Sequence, residues 1–419
     1  MSISTNPLRT AAQPPTRTAQ PAAQSATQPT AQPTARPAAR PAARPSPQRK
    51  LWGAFLLLAT SLFSQDLDLA RSLKVEFPAD APVAFASIDT GDSRATPRGG
   101  ALVVDLHSSL MLRNVGSQRI RGITLLIAAQ EVTPGGKASV SVPSLDIAPG
   151  DTFSIRLDLR LLRPSLAIGS GPLVQVTLDG ILFDSLAFYG PNKLNSRRAM
   201  TTWELEARRD RKFFAAALAA GGVEALRTAA VTAIARIDAR PRLDVQVARG
   251  RVTAYDPSRN VEFAFVKFPD SPIESVRGSA AVTATEIQSP RLELRNSSSK
   301  PVRYIEMGWI LADHTGREVF ASTVPGKVNL APGQSGQVLE DTFLKVASPE
   351  GRPLNVTSMK GYLSSVEFTD CEVWIPTRQD LGRSHLDSLA APSAEEERLL
   401  GIYRKKGLTA LVNELKKFQ

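Results

Sequence analysis

Few residues in this chain carry groups able to make or break bonds, and their spacing limits what they can do. There are three histidines, His107, His314 and His385, and one cysteine, Cys371. His314 stands in Ala312-Asp-His-Thr-Gly-Arg317, where Asp313, His314 and Thr315 offer a metal corner or an acid–base pair. The same residues suit a hairpin turn between Trp309-Ile-Leu311 and Val319-Phe320. The corresponding stretch earlier in the chain, Val132-Thr-Pro-Gly-Gly136, is turn-like and lacks histidine, which favours the turn. His107 falls within a strand-like alternation and His385 ahead of the last helical segment, so no metal cluster is expected. A single cysteine excludes an internal disulfide and any multi-cysteine zinc or iron–sulfur site. Asp184 and Asp370 occupy related places in the two halves, one carboxylate each, rather than forming a pair. Phosphate-loop, dinucleotide-binding, serine-elbow, zinc-protease and EF-hand motifs are all absent from the sequence.

Three binding candidates remain besides a reactive thiol. Tyr189 and Trp374 each precede a proline by two residues and act either as packing anchors or as sugar platforms. His314 is the third. Cys371 lies in Val366-Glu-Phe-Thr-Asp-Cys-Glu-Val-Trp-Ile375. Asp370-Cys371 suits a two-residue hairpin turn, with both residues at positive φ and the thiol exposed. The other reading is one continuous strand that buries Cys371 beside Val373 and Ile375. No catalytic residue, metal or cofactor is expected.

The elements that position these residues follow from composition and periodicity. The chain has 419 residues and a net charge of +11. Its first 50 residues hold seven Arg/Lys and no acid, so the remainder carries 11 − 7 = +4 and does not read as a nucleic-acid binder. Residues 1–48 are built from Ala, Pro, Gln, Thr, Ser and Arg, a leader with too little apolar surface to fold. Residues 49–64 place Arg49-Lys50 before the uncharged run Leu51–Phe63 and the small Ser64. That run is too short for a membrane span and has the order of a secretory signal peptide, with a mature chain starting near Gln65. Left uncleaved, it is the one expected membrane contact.

The body reads as a duplication. Leu112-Arg-Asn-Val-Gly-Ser-Gln-Arg-Ile-Arg-Gly-Ile123 matches Leu294-Arg-Asn-Ser-Ser-Ser-Lys-Pro-Val-Arg-Tyr-Ile305 at 294 − 112 = 182. Val75-Glu-Phe-Pro78 matches Val266-Lys-Phe-Pro269, and Val142-Pro143 matches Val324-Pro325. Ala148-Pro-Gly150 matches Ala331-Pro-Gly333 at 183 (331 − 148), and Gly222-Val-Glu-Ala-Leu226 matches Gly407-Leu-Thr-Ala-Leu411 at 185 (407 − 222). Alternating apolar residues such as Leu102, Val104 and Leu106 predict short strands in each copy. Asn114–Ser117, Asn296–Ser299 and the two Pro-Gly steps predict the turns between them.

Each copy then changes to helical periodicity. Thr201-Thr-Trp-Glu204 and Ser393-Ala-Glu-Glu396 have the form of a capping box. Gly221-Gly222 and Gly407 are expected to break each helical tail in two, and each tail to pack on its own sandwich or on the other tail. The expected divisions are β-sandwich 1 at 72–195, tail 1 at 196–238, β-sandwich 2 at 240–380 and tail 2 at 393–418. Leu243, Val245, Val247, Val252 and Ala254 flank Arg249-Gly250 as an added hairpin.

The run Leu-Arg-Asn-x-x-Ser-x-x-[Ile/Val]-Arg-x-Ile, followed by Ala-Pro-Gly, resembles bacterial extracytoplasmic immunoglobulin-like modules. The whole body resembles exported two-copy proteins of unknown function from high-GC soil bacteria. The resemblance implies a mainly β fold of two tandem immunoglobulin-like β-sandwiches, each followed by a helical segment, and a periplasmic or extracellular address. It transfers no catalytic residue. The expected function is structural, adhesive or assembly work in the envelope, with a protein or glycan partner. The alternatives are an envelope glycan-binding protein and a hydrolase with an unrecognised site.

Overall fold

The computed structural model describes residues 73–129, 137–164, 174–240, 244–249, 259–283, 286–339, 342–347 and 355–418. The leader (1–48) and the signal-like segment (49–64) lie outside them. The described chain is mainly β with one long helix.

The first β unit contains β1 (Leu73–Glu76), β2 (Val83–Asp89), β3 (Arg94–Arg98), β4 (Ala101–Asn114), β5 (Ile120–Ala128), β6 (Lys137–Val142), β7 (Thr152–Pro164), β8 (Val174–Phe183) and β9 (Phe188–Tyr189). One sheet runs β1-β8-β5-β6, with β9 on β8 and β1 parallel to β8. In the other, β4 lies between β7 and the β2/β3 edge. Along β4 the alternation puts Leu102, Val104, Leu106, Leu110 and Leu112 inside, against Ile123, Leu125 and Ile127 of β5. Ile123–Ala129 is apolar on both sides because β5 is central, paired by β6 and β8.

The second unit contains β10 (Asp244–Arg249), β11 (Arg259–Phe265), β12 (Ile273–Val282), β13 (Glu286–Asn296), β14 (Val302–Ala312), β15 (Glu318–Leu330), β16 (Ser335–Leu339), β17 (Thr342–Ala347), β18 (Ser358–Phe368) and β19 (Val373–Trp374). Its strands form one continuous sheet because β11 changes partner midway. Arg259–Glu262 pair antiparallel with β12, and Phe263–Phe265 pair parallel with β18. The sheet folds around a core centred on Trp309, Leu294, Met307 and Val366.

The two units differ in sheet organisation but share several local features of pairing. Asn114 and Asn296 are both fully buried. The Asn114 amide donates to the Gln118 and Ile147 carbonyls (2.9 and 3.2 Å), and its Oδ1 accepts from the Gly116 amide (3.0 Å). Asn296 does the same with Lys300, Leu330 and Ser298, at 2.9, 3.0 and 3.0 Å. Bulges recur too: between Phe85 and Ser87 and between Ser275 and Arg277, and at Ile120/Gly122 and Thr124/Leu125 as at Val302/Tyr304 and Glu306/Met307. The first pair lies at offset 190 (275 − 85) and the other two at 182 (302 − 120 and 306 − 124); a bulge is a local defect in the ladder, so its recurrence is more specific than shared strands. Gly150 (φ 87) and Gly333 (φ 74) take the left-handed position of the two Ala-Pro-Gly turns.

Two expectations are corrected, and a third lies partly outside the described residues. Of the hairpin expected around Arg249-Gly250, one arm falls in β10, which pairs with β17 at the sheet edge, while Leu243, Gly250, Val252 and Ala254 are not among the described residues. β11 sits mid-sheet between β12 and β18. By register Val75 opposes Val176 and Phe265 opposes Gly361, so Val75 matches Phe265 rather than Val266. Val142 pairs with Ile123, whereas Val324 pairs with Met307, two residues further along the ladder, so the Val-Pro steps are not equivalent.

Four helices complete the described chain: α1 (Ser196–Ala239), α2 (Arg378–Arg383), α3 (Leu386–Leu389) and α4 (Ala394–Lys416). α1 and α4 are broken at Gly222 (φ 64) and Gly407 (φ 80), positions that only glycine occupies without strain. Phe214, Leu226 and Ala230 of α1 and Leu399, Leu411 and Leu415 of α4 are buried together. These are the same positions at offset 185 (399 − 214), so the tails share one core. By length and composition α1 is apolar enough to cross a membrane; Phe214, Leu226, Ala230 and Ala233 pack with α4, while Val223 and Val231 are exposed. The expected cap at Thr201 is also corrected. α1 begins five residues earlier, after Asn195 at φ 55 without a side-chain cap, and Thr201 is buried within the helix. Ser393 does cap α4, its Oγ accepting from the Glu396 amide at 3.0 Å.

Candidate functional site

The first half of α1 lies against both β units. On one side Met200 fits over Gly122 of β5, where a Cβ would approach its sulfur to 3.1 Å, and the Thr124 hydroxyl reaches that sulfur at 3.6 Å. On the other, the Arg198 guanidinium stacks 3.5 Å from the ring centre of Tyr304 on β14. Tyr304 lies 182 residues beyond Gly122 (304 − 122), and α1 touches a strand of each unit through them.

Where α1, α2 and α4 meet, charged side chains are buried together. Asp210 is fully buried; its Oδ1 accepts from Arg378 Nη1 at 3.1 Å and its Oδ2 from the Ser393 hydroxyl at 2.6 Å. Glu396 accepts from Arg378 at 2.8 Å and from Arg236. Glu395 pairs with Arg398 (2.8 Å) and Arg211 (3.4 Å). Arg211 also reaches Glu204 at 2.7 Å. Burial by itself would weaken the hold of Arg378 on its proton, but Glu396 and Asp210 outweigh it and raise its pKa. Arg121 of β5 pairs with Asp146 at 2.6 Å, and burial lowers its pKa. The Phe418 ring lies 5.1 Å from the Arg121 guanidinium and 4.3 Å from that of Arg211, which ties the end of the described chain to the first β unit.

Each of these carboxylates is met by at least one arginine, and Asp210 by the Ser393 hydroxyl as well. Their chemistry is cohesive: breaking one partner strands a charge in a dry joint. The sequence carried a signal for it that went unread. Asp210-Arg211 and Glu395-Glu396 are equivalent at offset 185 and fall on the apolar stripes of Phe214 and Leu399. Charge on a core-facing stripe points to a buried partner.

Glu206 of α1 differs. It keeps a partial opening to solvent, yet the surrounding protein pushes its carboxyl up to about 7. Desolvation is the main cause; Asp210 and Glu306 add like charge and Arg209 opposes them. A carboxyl raised in the folded state favours folding at low pH, where it is protonated in both states. That contribution is lost as pH rises from the ordinary carboxylate range through about 7. A shift of this size corresponds to about 3 kcal/mol at most. Urea melts should therefore show stability falling between pH 5 and 8, and Glu206→Gln should flatten that fall. An unchanged slope would exclude this assignment.

The sequence candidates are not brought together. His314 is exposed in a turn where the Asp313 carboxylate accepts from the Thr315 and Arg317 amides at 2.8 and 3.1 Å. Tyr189 and Trp374 are half-buried: Tyr189 packs on the first core, and Trp374 lies 6.1 Å from the Phe268 ring. Asp370 is exposed and held below its ordinary pKa by Lys300, 2.8 Å away. His107 faces solvent on β4, 2.8 Å from Asp158. No group of three or more His, Cys, Asp or Glu fit for a metal occurs among the described residues.

Cys371 lies in a turn, but a longer one than expected. The Phe368 amide donates to Glu372 O and the Cys371 amide to Phe368 O, a three-residue loop in which Cys371 has φ 70. Asp370 is not at positive φ, and the thiol is half-buried rather than free at the tip. Cys371→Gly should raise stability by about 0.5–1 kcal/mol, since glycine accepts this conformation without strain. A lower melting temperature would show that packing of the thiol outweighs backbone strain.

No family model and no curated protein matches the chain. Among solved structures, a hypothetical protein from Peptoclostridium difficile 630 is 11% identical, with 33% of this chain and all of that one covered at a TM-score of 0.18. The putative ApaA protein from Bordetella pertussis is 14% identical, with 33% of this chain and 98% of that one covered at 0.15. A β-glucosidase from Kluyveromyces marxianus is 10% identical over 66% of this chain and 46% of its own, at 0.13.

Proposed function

We propose that the body is an internal duplication of one immunoglobulin-like β-sandwich with its helical tail, and that the protein is an exported, non-enzymatic structural or assembly component of the bacterial envelope. The recurring bulges and buried asparagines support the duplication. The observation that carries the function is how the buried charges are used: Asp210, Arg211, Arg378, Glu395 and Glu396 are consumed in fixing one half to the other. An arrangement of this kind sets the spacing and orientation of two surfaces, which is what an assembly component requires. The partial packing of Tyr189 and Trp374 against the two cores supports an anchoring role over a sugar-binding one. Cell fractionation with sequencing of the mature N-terminus tests the reading. It requires a chain outside the cytoplasm that begins near Gln65 and sediments with envelope fragments. A soluble cytoplasmic chain beginning at Met1 would refute it.

A further inference from the structure

The first half of α1 meets the outer face of β14 and β18, the face turned away from the second core. Tyr304, Glu306, Gly308 and Ile310 follow one another along that face of β14. At one end Arg198 stacks on Tyr304. At the other, Ile310 and Tyr362 are buried with Leu381 and Leu386 of α2 and α3. The Tyr362 ring lies over Gly308, where a Cβ would collide with it. Glu306 therefore stands in the middle of the covered face. Glu206, about two turns along α1 from Arg198, comes close enough for the two carboxylates to act on each other.

Like charges thus meet inside a contact that is otherwise matched. Glu204, Asp210, Glu395 and Glu396 are each met by an arginine. Glu206 and Glu306 form no ion pair among the described residues. Arg209 opposes their charge, but its guanidinium donates to the Pro376 carbonyl at 3.2 Å and to Asp210 at 3.3 Å. Asp210 adds negative charge from α1 itself, and Arg378 of α2 is engaged by Asp210 and Glu396. On the sheet, the Ser365 hydroxyl reaches Glu306 at 3.4 Å. Tyr362 is buried, and desolvation together with both carboxylates raises its pKa and keeps its hydroxyl neutral. With Glu206 and Glu306 both ionised this part of the contact is repulsive, and more so than the same pair would be in water.

We propose that Glu206 and Glu306 form a pH-sensitive latch between α1 and the second β unit: a proton on Glu206 seats the helix on the sheet, and its loss opens this contact while the helical core stays intact. The first β unit moves with the helix, because Ser196 and Met200 hold the start of α1 to Asp179 and Thr124. The Asp210–Arg378 pair, one turn beyond Glu206, and the core of Phe214, Leu399 and Leu411 remain as the hinge. The sign follows from the Glu206 carboxyl, which is raised to about 7 when seated and ordinary when exposed. Closure is therefore favoured in acid and weakens as pH rises from the ordinary carboxylate range through about 7. Linkage then raises the opening equilibrium roughly 20-fold between about pH 5.5 and 7.5. Acid fixes the spacing of the two β units, and neutral conditions release it.

The test compares two buried thiols on neighbouring residues of β18, each introduced into the full chain carrying Cys371→Gly. Ser365→Cys places one beneath the latch, where the serine is 2% exposed. Val366→Cys places the other in the second core, where the valine is 0% exposed. Reaction with dithiodipyridine is followed at about pH 5.5 and 7.5 and corrected for thiol ionisation with an unstructured cysteine peptide. The Ser365→Cys thiol is expected to react about tenfold faster or more at the higher pH, and there to outpace the Val366→Cys thiol by a similar factor. Glu206→Gln should abolish the pH dependence and Glu306→Gln should reduce it. Circular dichroism melts confirm that each variant is folded. Equal rates for the two thiols would show that reagent enters by unfolding rather than by opening of the latch. A rise that persists in Glu206→Gln would assign the effect to another group. Either result, or the absence of any rise, overturns the proposal.

Discussion

Arg378→Ala should lower the unfolding free energy by about 3–5 kcal/mol, the range for removing one partner of a buried ion pair. The side chain bridges Asp210 and Glu396, which are 0% and 2% exposed, so its loss takes a charged partner from two buried carboxylates and leaves Asp210 to Arg209 and Ser393 and Glu396 to Arg236. Its guanidinium also lies 4.7 Å from the Phe213 ring, a contact that alanine gives up. Lysine at the same position keeps a charge but not the planar fork that reaches both acids, and should recover only part of the loss. Arg404→Ala provides the contrast. Its bidentate pair with Asp238 lies on the surface, and its removal should cost less than about 1 kcal/mol. Urea unfolding of the three variants separates these expectations. Similar small losses at both arginines would mean that the joint is wetter than its burial implies.

The second large effect is expected at the paired asparagines. Asn114→Ala and Asn296→Ala should each cost about 2–4 kcal/mol, because each removes two hydrogen bonds donated to carbonyls and one accepted from an amide inside the turn. The two values should agree within about 0.5 kcal/mol and add in the double variant, since the sites lie in separate cores. Asp is a poor replacement at either place: it keeps the acceptor for Gly116 or Ser298 but turns two donated bonds into repulsions with carbonyl oxygens. Unequal losses at the two sites would argue that their shared geometry is coincidental.

How much was legible follows from which interactions are local. The turns were, because Pro149-Gly150 and Asn114-Val-Gly-Ser117 encode their own backbone conformations. So were the helix breaks at Gly222 and Gly407. Strand alternation placed the cores correctly, as with Leu102, Val104 and Leu106. Pairing between distant strands was not legible: β10 lies on β17, and β11 is held in the sheet by β12 and β18, partners far away in sequence. The Thr201 cap failed for a related reason. Its pattern is sound locally, but the Asp179–Ser196 contact starts α1 earlier and buries Thr201 in the helix. The joint was hidden because Asp210 and Arg378 are 168 residues apart (378 − 210), and periodicity within either helix shows only one side of the pair. The turn at Cys371 is present, but it has three residues rather than two and leaves the thiol half-buried rather than exposed.

The central claim is that the two β units are joined through one helical core shared by both tails. The most direct test is hydrogen exchange on the fragment 72–238, compared with the whole chain. The first β unit has its own buried core, so its strand amides should stay protected and melt cooperatively. The second half of α1 loses Leu399, Leu411 and Leu415 of α4, and its amides should exchange as in an unfolded chain. Protection of residues 223–239 equal to that in the whole chain would contradict the account, since tail 1 would then belong to its own unit alone.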